Sequence, residues 1–437
     1  MPILTSPAID ELLIWSDEDL QFFANNKNVN PERLLLQSKP EELSHKKKLV
    51  HQLQCLQKAS EKLPHLVANT QIVFPAGISL EQCSSEITAK YKASLFSGKT
   101  FMDLSTGFGV DSYYLSQRFE RGILIERNEA LGKIIAHNFA ILQQNNVQFI
   151  LGRNAEDVLQ KWHKPFAVIG VITNNLVAVG DNTNNGMEDV IPKWQEPIDL
   201  IYIDPARRNQ AGAKIFMLKD CEPDIVSLQS LLLEKCKTIL VKTSPLLDIT
   251  LACQELQHVK NIYVVAVNNE CRELLIEIEK DFIQEPQIHA VNLIKNAMQA
   301  YAFYGSEEKN MMPHIASCQQ FLYEPNAAII KAGAYKKIAF DFGLQKLHTH
   351  THLYTSNELV SNFPGRRFEV LAQIDANKKE VQKIIPEGKA TLSIRNFPSS
   401  VAELKKKLGL QDGGEYYVFG TTFYNDKKGL LVTRKMD

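Results

Sequence analysis

The 437-residue chain has no apolar run near the roughly 20 residues that a bilayer crossing needs, which argues against a helical membrane protein. Its seven cysteines are odd in number and form no Cys-x-x-Cys pair, so neither a disulfide framework nor a zinc knuckle is expected. They read as free thiols in packed surroundings. Neither charge sign dominates, with 49 basic and 50 acidic residues. The N-terminal stretch carries Asp10, Glu11, Asp17, Glu18 and Asp19, the wrong sign for a secretory or transit peptide, so the cytoplasm is the expected compartment. What is present is ordinary globular composition, 44% hydrophobic and 23% charged, over a length that suggests two to three domains at roughly 150 residues each. The near-zero total hides an asymmetry. Residues 318–437 hold 18 basic and 12 acidic residues, against 31 and 38 in the rest. A basic C-terminal region on an acidic body suits one module that handles an anionic partner, although a solvated lysine surface gives the same numbers.

The most informative stretch is Thr100–Asp111, TFMDLSTGFGVD. An apolar run ends in Asp103, passes through Gly107 and Gly109, and enters a helix-like segment. Glycines let backbone approach a ligand closely, and a following helix start offers unpaired N–H groups. The next apolar run, Gly122–Glu126, ends in an acid that can accept both hydroxyls of a ribose. An adenosine-containing cofactor is therefore expected. The dinucleotide fingerprint wants a third glycine where Ser112 stands and no acid where Asp103 stands. An acid ending the first strand, a glycine loop and an acid on the second strand resemble the class I S-adenosylmethionine-dependent methyltransferases. That resemblance implies S-adenosylmethionine as cofactor, with Asp103 on its methionine moiety, Ser105, Gly107, Gly109 and Asp111 around the loop, and Glu126 on the ribose. Ser105 departs from the family's first loop glycine. Asn154 and Ala155 fall where the family's Gly-Asp-Ala turn meets the adenine; a surface turn is the plainer account.

Residues 1–95 read as helical, with starts at Asn30-Pro31-Glu32 and Lys39–Glu42 and a continuous amphipathic segment Ser79–Phe96. They form a cap over a cofactor cleft or a bundle that only packs. From 96 to 283, apolar runs alternate with helical segments: Thr100–Leu104, Gly122–Glu126, Val147–Leu151, Ile198–Ile203, Thr238–Lys242, Ile262–Val267 and Leu274–Glu279. Such alternation predicts an α/β, doubly wound, seven-stranded Rossmann-like sheet, with its last two strands an antiparallel hairpin. Asn174–Gly186 is expected to be an exposed hairpin or loop insertion. Residues 284–437 form an α+β region. Ile288–Leu293 and Ala300–Tyr304 are strands, Tyr323–Gly333 a helix, and Arg367–Arg434 a strand–helix–strand–helix–strand–strand order close to a ferredoxin-like fold.

The fourth run ends in Asp204-Pro205-Ala206-Arg207, at the strand edge where side chains face a ligand cleft. In the methyltransferases an Asp/Asn-Pro-Pro-aromatic motif stands here and stacks a target base. Ala206 and Arg207 remove that platform. The form is closer to the 5-methyluridine RNA methyltransferases, but their nucleophilic cysteine is missing from Lys242-Thr243-Ser244-Pro245. Asp204, Pro205 and Arg207 are the expected acceptor-side residues, with Lys242 near them. Arg207 has the alternative of pairing with Glu270 or Glu273, and Cys271 that of an inert thiol in a turn.

The stretch Ser84–Tyr91, the DLSTGFG loop, DPAR, NECRELL, Tyr323–Asn326 and Asn362–Phe368 together are similar to a bacterial methyltransferase family with C-terminal THUMP-like and ferredoxin-like domains. The likeness spans nearly the whole chain. It implies a methyltransferase acting on RNA, tRNA or rRNA, with Arg366, Arg367, Lys405, Lys406 and Lys407 as phosphate contacts. A small-molecule methyltransferase and an RNA-binding protein with a non-catalytic core are the alternatives. His348, His350 and His352 alternate, which on a strand places all three rings on one face. Their ends lie too far apart to share one ion easily, so no metal is expected. The sequence points to no membrane and no obligate protein partner.

Overall fold

A computed structural model describes residues 15–36, 43–75, 77–160, 172–173, 176–177, 197–207, 218–295 and 297–436. The chain divides into two compact units, Met1–His258 with Glu277–Phe282, and Val259–Ile276 with Ile283–Asp437.

The first unit opens with helices α1 (Asp17–Asn26), α2 (Pro31–Leu36), α3 (Leu43–Ala59), α4 (Pro64–Ala68), α5 (Gly77–Gln82) and α6 (Glu86–Leu95). α2 begins on Pro31, where a missing N–H costs nothing. The start read at Lys39–Glu42 lies outside the described residues. The single helix read over Ser79–Phe96 is instead two helices, broken at Cys83–Ser85. Ser85 accepts from the Thr88 N–H at 3.4 Å and caps α6, and a serine cap at that point competes with helix continuation.

The sheet of this unit follows. Its elements are β1 (Gly98–Asp103), α7 (Val110–Ser116), β2 (Phe119–Glu126), α8 (Glu129–Ile141), β3 (Val147–Leu151), α9 (Ala155–Gln160), the short β4 (Ile172–Thr173) and β5 (Leu176–Val177), β6 (Ile198–Ile203), β7 (Ala206–Arg207), β8 (Cys221–Glu222), α10 (Ile225–Lys235), β9 (Cys236–Thr243) and α11 (Ile249–Glu255). The five long strands are parallel in the order β9-β6-β1-β2-β3. Both faces of the central strands are covered: Phe101, Leu200, Ile201, Ile203, Ile239 and Val241 are all 0–1% exposed. β4 and β5 pair antiparallel, and the rest of the expected Asn174–Gly186 insertion lies outside the described residues.

The cap and sheet of this unit are joined by buried polar groups. Asn138 on α8 accepts from Val73 N at 2.9 Å and donates to Val73 O at 2.8 Å. Asn138→Ala strands a buried donor and acceptor, and we expect a loss of roughly 2–4 kcal/mol, read as a lower urea midpoint at unchanged slope.

In the second unit, β10 (Val259–Val267) and β11 (Glu270–Glu279) are neighbours joined by Asn268 and Asn269, both at positive φ. Two residues suffice only for an antiparallel hairpin, as expected. β12 (Gln287–Ile294) pairs parallel with β10, and β13 (Ala297–Tyr304) antiparallel with β12. Strand pairing thus continues past residue 283, where the alternation in the sequence ends. After α12 (Gly305–Asn310) come β14 (Phe321–Pro325), α13 (Ala327–Ala332), α14 (Lys337–Asp341), β15 (Gln345–His348), β16 (Thr351–Ser356), β17 (Gly365–Ile374), α15 (Lys378–Ile384), β18 (Thr391–Arg395), α16 (Val401–Leu408), β19 (Tyr416–Thr422) and β20 (Lys428–Met436). Seven of these strands make a sheet ordered β15-β16-β14-β17-β20-β19-β18. Val418 and Val432 face Leu404 and Leu408 of α16, while their neighbours Phe419 and Leu431 face Leu322, Leu347 and Phe368, the period-two alternation of a two-sided sheet.

Two expectations change here. Tyr323–Gly333 is not one helix: Tyr323–Pro325 belong to β14, and Asn326 caps α13 by accepting from Ile329 N at 3.1 Å. The alternating histidines do not share a strand, because Thr349 and His350 form the turn between β15 and β16.

Candidate functional site

β1 pairs with β2 on one side and β6 on the other, so chain order reverses between β1 and β6. In open α/β sheets that switch point is where a crevice opens outside the carboxyl ends of the strands. Asp103 ends β1, Glu126 ends β2 and Asp204 follows β6 directly. Three carboxylates thereby meet at one sheet edge.

The loop between β1 and α7 is set by its neighbours. Glu126 accepts from Gly107 N at 2.9 Å and Asn128 N at 2.8 Å, and burial raises its carboxyl above the usual range against those bonds. Gly107 and Gly109 have φ of 57° and 75°, a region that disfavours other residues. They differ in what surrounds them. A Cβ on Gly109 would meet Ile135 Cγ2 at 2.8 Å, whereas one on Gly107 finds nothing nearer than Ser105 O at 3.8 Å.

Both departures from the glycine patterns have a structural use. Ser105 donates its N–H to Asp103 Oδ1 at 2.8 Å, and its hydroxyl accepts from Asp204 N at 2.6 Å. It ties together the ends of β1 and β6. Ser112, where a dinucleotide fold has glycine, donates its hydroxyl to Asp103 Oδ2. Asp103 is 1% exposed. Burial lifts its carboxyl to about 7, opposed by the Ser112 and Ser105 bonds and reinforced by Asp111 and Asp204.

Asp111 carries a set of contacts that motif reasoning missed. Its Oδ2 accepts from Ser84 Oγ and Tyr202 Oη, each at 2.7 Å. Lys92 Nζ lies 3.1 Å from Asp111 Oδ1 and 3.1 Å from Ser84 Oγ, and Lys92 is fully buried. Burial alone would raise the Asp111 carboxyl; Lys92, Lys242 and the two hydroxyls outweigh it and hold it below the usual range. A signal existed: Thr88, Ala89, Lys92 and Ala93 form the buried stripe of α6, and a lysine on such a stripe needs a buried partner. The break after α5 places Ser84 in the same cluster.

On the acceptor side, Lys242 Nζ donates to Asp204 Oδ2. Parallel pairing of Ile203 with Val241 sets these residues side by side. Asp204 remains partly open, its side chain 34% exposed. Arg207 lies in β7, which pairs with β8; its side chain lies outside the described residues. Asn154 Oδ1 accepts from Asp157 N at 2.7 Å and so caps α9, with Ala155 buried. Cys271 donates to Ala327 O at 3.3 Å, and burial raises its thiol, the behaviour of an inert cysteine.

In the second unit the expected phosphate contacts separate into two kinds. Arg366 donates Nε to Glu324 Oε2 at 2.7 Å, and Arg395 pairs with the other oxygen of the same buried carboxylate. Arg366 is thus held by a contact within the fold, with its side chain 32% exposed. Arg367 donates to Ser361 O, and Lys405 pairs with Asp412. Lys406 and Lys407 are exposed on α16. His348 bonds Asp426 at 2.9 Å and His352 stacks on Tyr335 at 3.9 Å. Burial pushes His352 down to about 4. Among the described residues, no group of three His, Cys, Asp or Glu is arranged for a metal ion.

Comparison with known proteins places the C-terminal region. A family model described as a ferredoxin-like domain matches residues 321–364, and one described as THUMP domain-like matches residues 365–435. Among solved structures, one from Porphyromonas gingivalis, described as a candidate methyltransferase, is 31% identical, covers 97% of this chain and 100% of its own, and has a TM-score of 0.80. TrmK of M. capricolum, solved with S-adenosyl-homocysteine, is 13% identical over 45% of this chain and 68% of its own, with a TM-score of 0.29. An rRNA methylase from Streptococcus thermophilus is 12% identical over 44% and 94%, with a TM-score of 0.27. Similarity as low as these last two informs no residue's role. No curated protein matches the chain.

Proposed function

The chain belongs to the bacterial class I methyltransferase family with C-terminal ferredoxin-like and THUMP-like domains, and on that premise we propose that it transfers a methyl group from S-adenosylmethionine to RNA. The observation that carries this reading is the meeting of Asp103, Glu126 and Asp204 around a positive-φ glycine loop at the switch point. The residues suit such a cofactor. A Cβ on Gly107 would meet nothing nearer than Ser105 O at 3.8 Å, so the loop there is not packed against another element, and Thr106 Oγ1 is buried in the loop with no hydrogen-bond partner among the described residues.

When bound, the cofactor supplies an already activated methyl group, so the protein's task is mainly alignment. Asp103 holds the cationic methionine end and Glu126 the ribose. Ser105, Gly107, Gly109 and Asp111 shape the loop, and Asn154 and Ala155 border the adenine. Asp204 accepts a hydrogen bond from the acceptor's N–H or O–H, with Pro205 fixing the turn and Arg207 near the substrate. RNA as the acceptor is supported by the THUMP-like match, the basic balance of residues 318–437 and the exposed Lys406 and Lys407. A division into a helical cap (1–95), a catalytic domain (96–283) and an RNA-binding region (284–437) belongs to the same proposal, as does a cytoplasmic location.

The test is calorimetric titration with S-adenosylmethionine and S-adenosylhomocysteine, NAD as control, followed by labelled-methyl transfer into cellular RNA. Absence of binding by either sulfur compound would refute the reading. Replacing Asp204 by asparagine removes a charge-assisted hydrogen bond of about 1.5–3 kcal/mol, so turnover should fall roughly 10–100-fold with cofactor affinity unchanged.

Affinity should also follow pH with a defined sign. The cofactor's methionine end is cationic and favours ionised Asp103, whose carboxyl burial lifts to about 7 in the free protein. Binding therefore releases a proton. Affinity is full above that pH and falls as pH drops through it, approaching tenfold per unit. Asp103→Asn should flatten the profile, and calorimetry in buffers of different ionisation enthalpy counts the proton.

A further inference from the structure

The residues Asn362, Phe363, Pro364, Gly365 and Arg367 have no part in the cofactor site above, yet they build one wall of a cavity of about 280 Å³ in the second unit. The opposite wall is β13, through Met298 and Gln299. We infer that this cavity is a binding site for a nucleotide, with the phosphate on Arg367 and the base or sugar on the amides of Asn362 and Gln299. The inference rests on RNA being the acceptor, and the nucleotide it assigns is one residue of that RNA.

Three observations carry it. The lining includes one charged side chain, Arg367, and no carboxylate, so it favours an anion. A guanidinium is a planar, multi-donor partner for phosphate oxygens. The polar lining also has donors to spare. Gln299 accepts at Oε1 from Asn292 at 3.1 Å and Asn326 at 3.2 Å, which fixes the amide so that its NH₂ is the end left over. Neither that NH₂ nor the exposed Asn362 amide has a hydrogen-bond partner among the described residues.

The loop wall is preformed as well. Phe363 is 3% exposed, with its ring 5.2 Å from Tyr323 and 5.5 Å from Phe342. Tyr323 Oη accepts from Val360 N at 2.9 Å and donates to Glu358 O at 3.0 Å. A Cβ on Gly365 would lie 2.2 Å from Glu324 O, so only glycine allows the chain to enter β17 this close to β14. A wall held this way loses little entropy on binding. The volume lies just under the roughly 300 Å³ at which small-ligand pockets begin, room for about one nucleotide and too little for a duplex.

The experiment uses full-length protein saturated with S-adenosylhomocysteine, so that the first unit's site does not contribute. Adenosine and uridine 5′-monophosphate, the two nucleosides and inorganic phosphate are titrated by NMR at low salt. Asn362→Asp and Gln299→Glu keep size and the acceptor oxygen while replacing an NH₂ donor by a carboxylate oxygen. The monophosphates should bind better than the nucleosides, and each substitution should weaken them at least tenfold with melting temperature unchanged. Equal affinity in wild type and both variants overturns the proposal, as does preference for an acidic peptide over the monophosphates. A parallel titration with unfractionated cellular RNA, tRNA and rRNA together, separates this site from the reading it rests on. RNA bound equally by wild type and variants refutes the cavity and leaves RNA as acceptor. Monophosphates bound in the cavity without any RNA binding support the cavity, assign a free nucleotide to it, and refute RNA as acceptor.

Discussion

Replacing Gly107 by arginine should raise the dissociation constant for S-adenosylmethionine more than about 100-fold, equivalent to about 2.7 kcal/mol or more. The left-handed penalty of roughly 1–2 kcal/mol for a side chain at φ 57° acts on the fold, in free and bound protein alike. The affinity loss comes from the guanidinium, which fills the space beside the loop, where the added Cβ would meet nothing nearer than Ser105 O at 3.8 Å. Because nothing is displaced, the fold should lose little beyond the backbone term, and Phe108 and Val110 stay buried on either side of Gly109. Gly109→Ala provides the contrast. Its Cβ would press on Ile135 and Phe139 of α8, so that variant should lose stability as well as affinity. Calorimetry beside thermal melts distinguishes the two. Near-normal affinity in Gly107→Arg would remove the loop from the cofactor site.

Lys92→Met should destabilise the first unit by roughly 3–5 kcal/mol, the usual result of deleting one partner of a buried ion pair. Against a total of about 5–15 kcal/mol for a domain, that is a large fraction. The loss comes from Asp111, which keeps its Ser84 and Tyr202 bonds but loses the ammonium that balances its buried charge. The sign with pH follows. In the native protein the Asp111 carboxyl is held below its ordinary value, so its contribution is present at neutral pH and disappears as pH falls through the acid range. The deficit of Lys92→Met should therefore be largest at neutral pH and shrink in acid. Adding Asp111→Asn should recover part of it, because the unpaired charge is then gone. Urea denaturation at pH 7 and pH 4 measures both, and a deficit under 1 kcal/mol at pH 7 would show that the pair contributes little.

The parallel strands of the first unit were legible because each is a short apolar run with its own turn signals. Ile198–Ile203 and Val147–Leu151 match the structure residue for residue, and β1, β2 and β9 differ only by one to three residues at their ends. Errors fell where a polar side chain decides the conformation. Periodicity carried Ser79–Phe96 through as one helix, while the Ser85 cap interrupts it. Proline and glycine bracketed Tyr323–Gly333 as a helix, although Phe321–Pro325 pairs antiparallel with β16 and β17. The histidines alternate like strand residues but turn a corner.

By itself, the sequence determined the strand–loop–helix unit at Thr100–Asp111, the acid at Glu126, the late hairpin and the strand–helix order of the C-terminal region. These depend on spacing within about ten residues, where backbone preference and burial period act directly. Only the tertiary structure decided which polar groups serve which carboxylate. Ser105 meets Asp204 across 99 residues, Tyr202 meets Asp111 across 91, and Arg366 and Arg395 converge on Glu324 from two strands. Hydrogen bonds and ion pairs inside a core form between whatever the strand order brings together. The same serine that weakens a loop motif on paper is then the residue that ties two strand ends into one site.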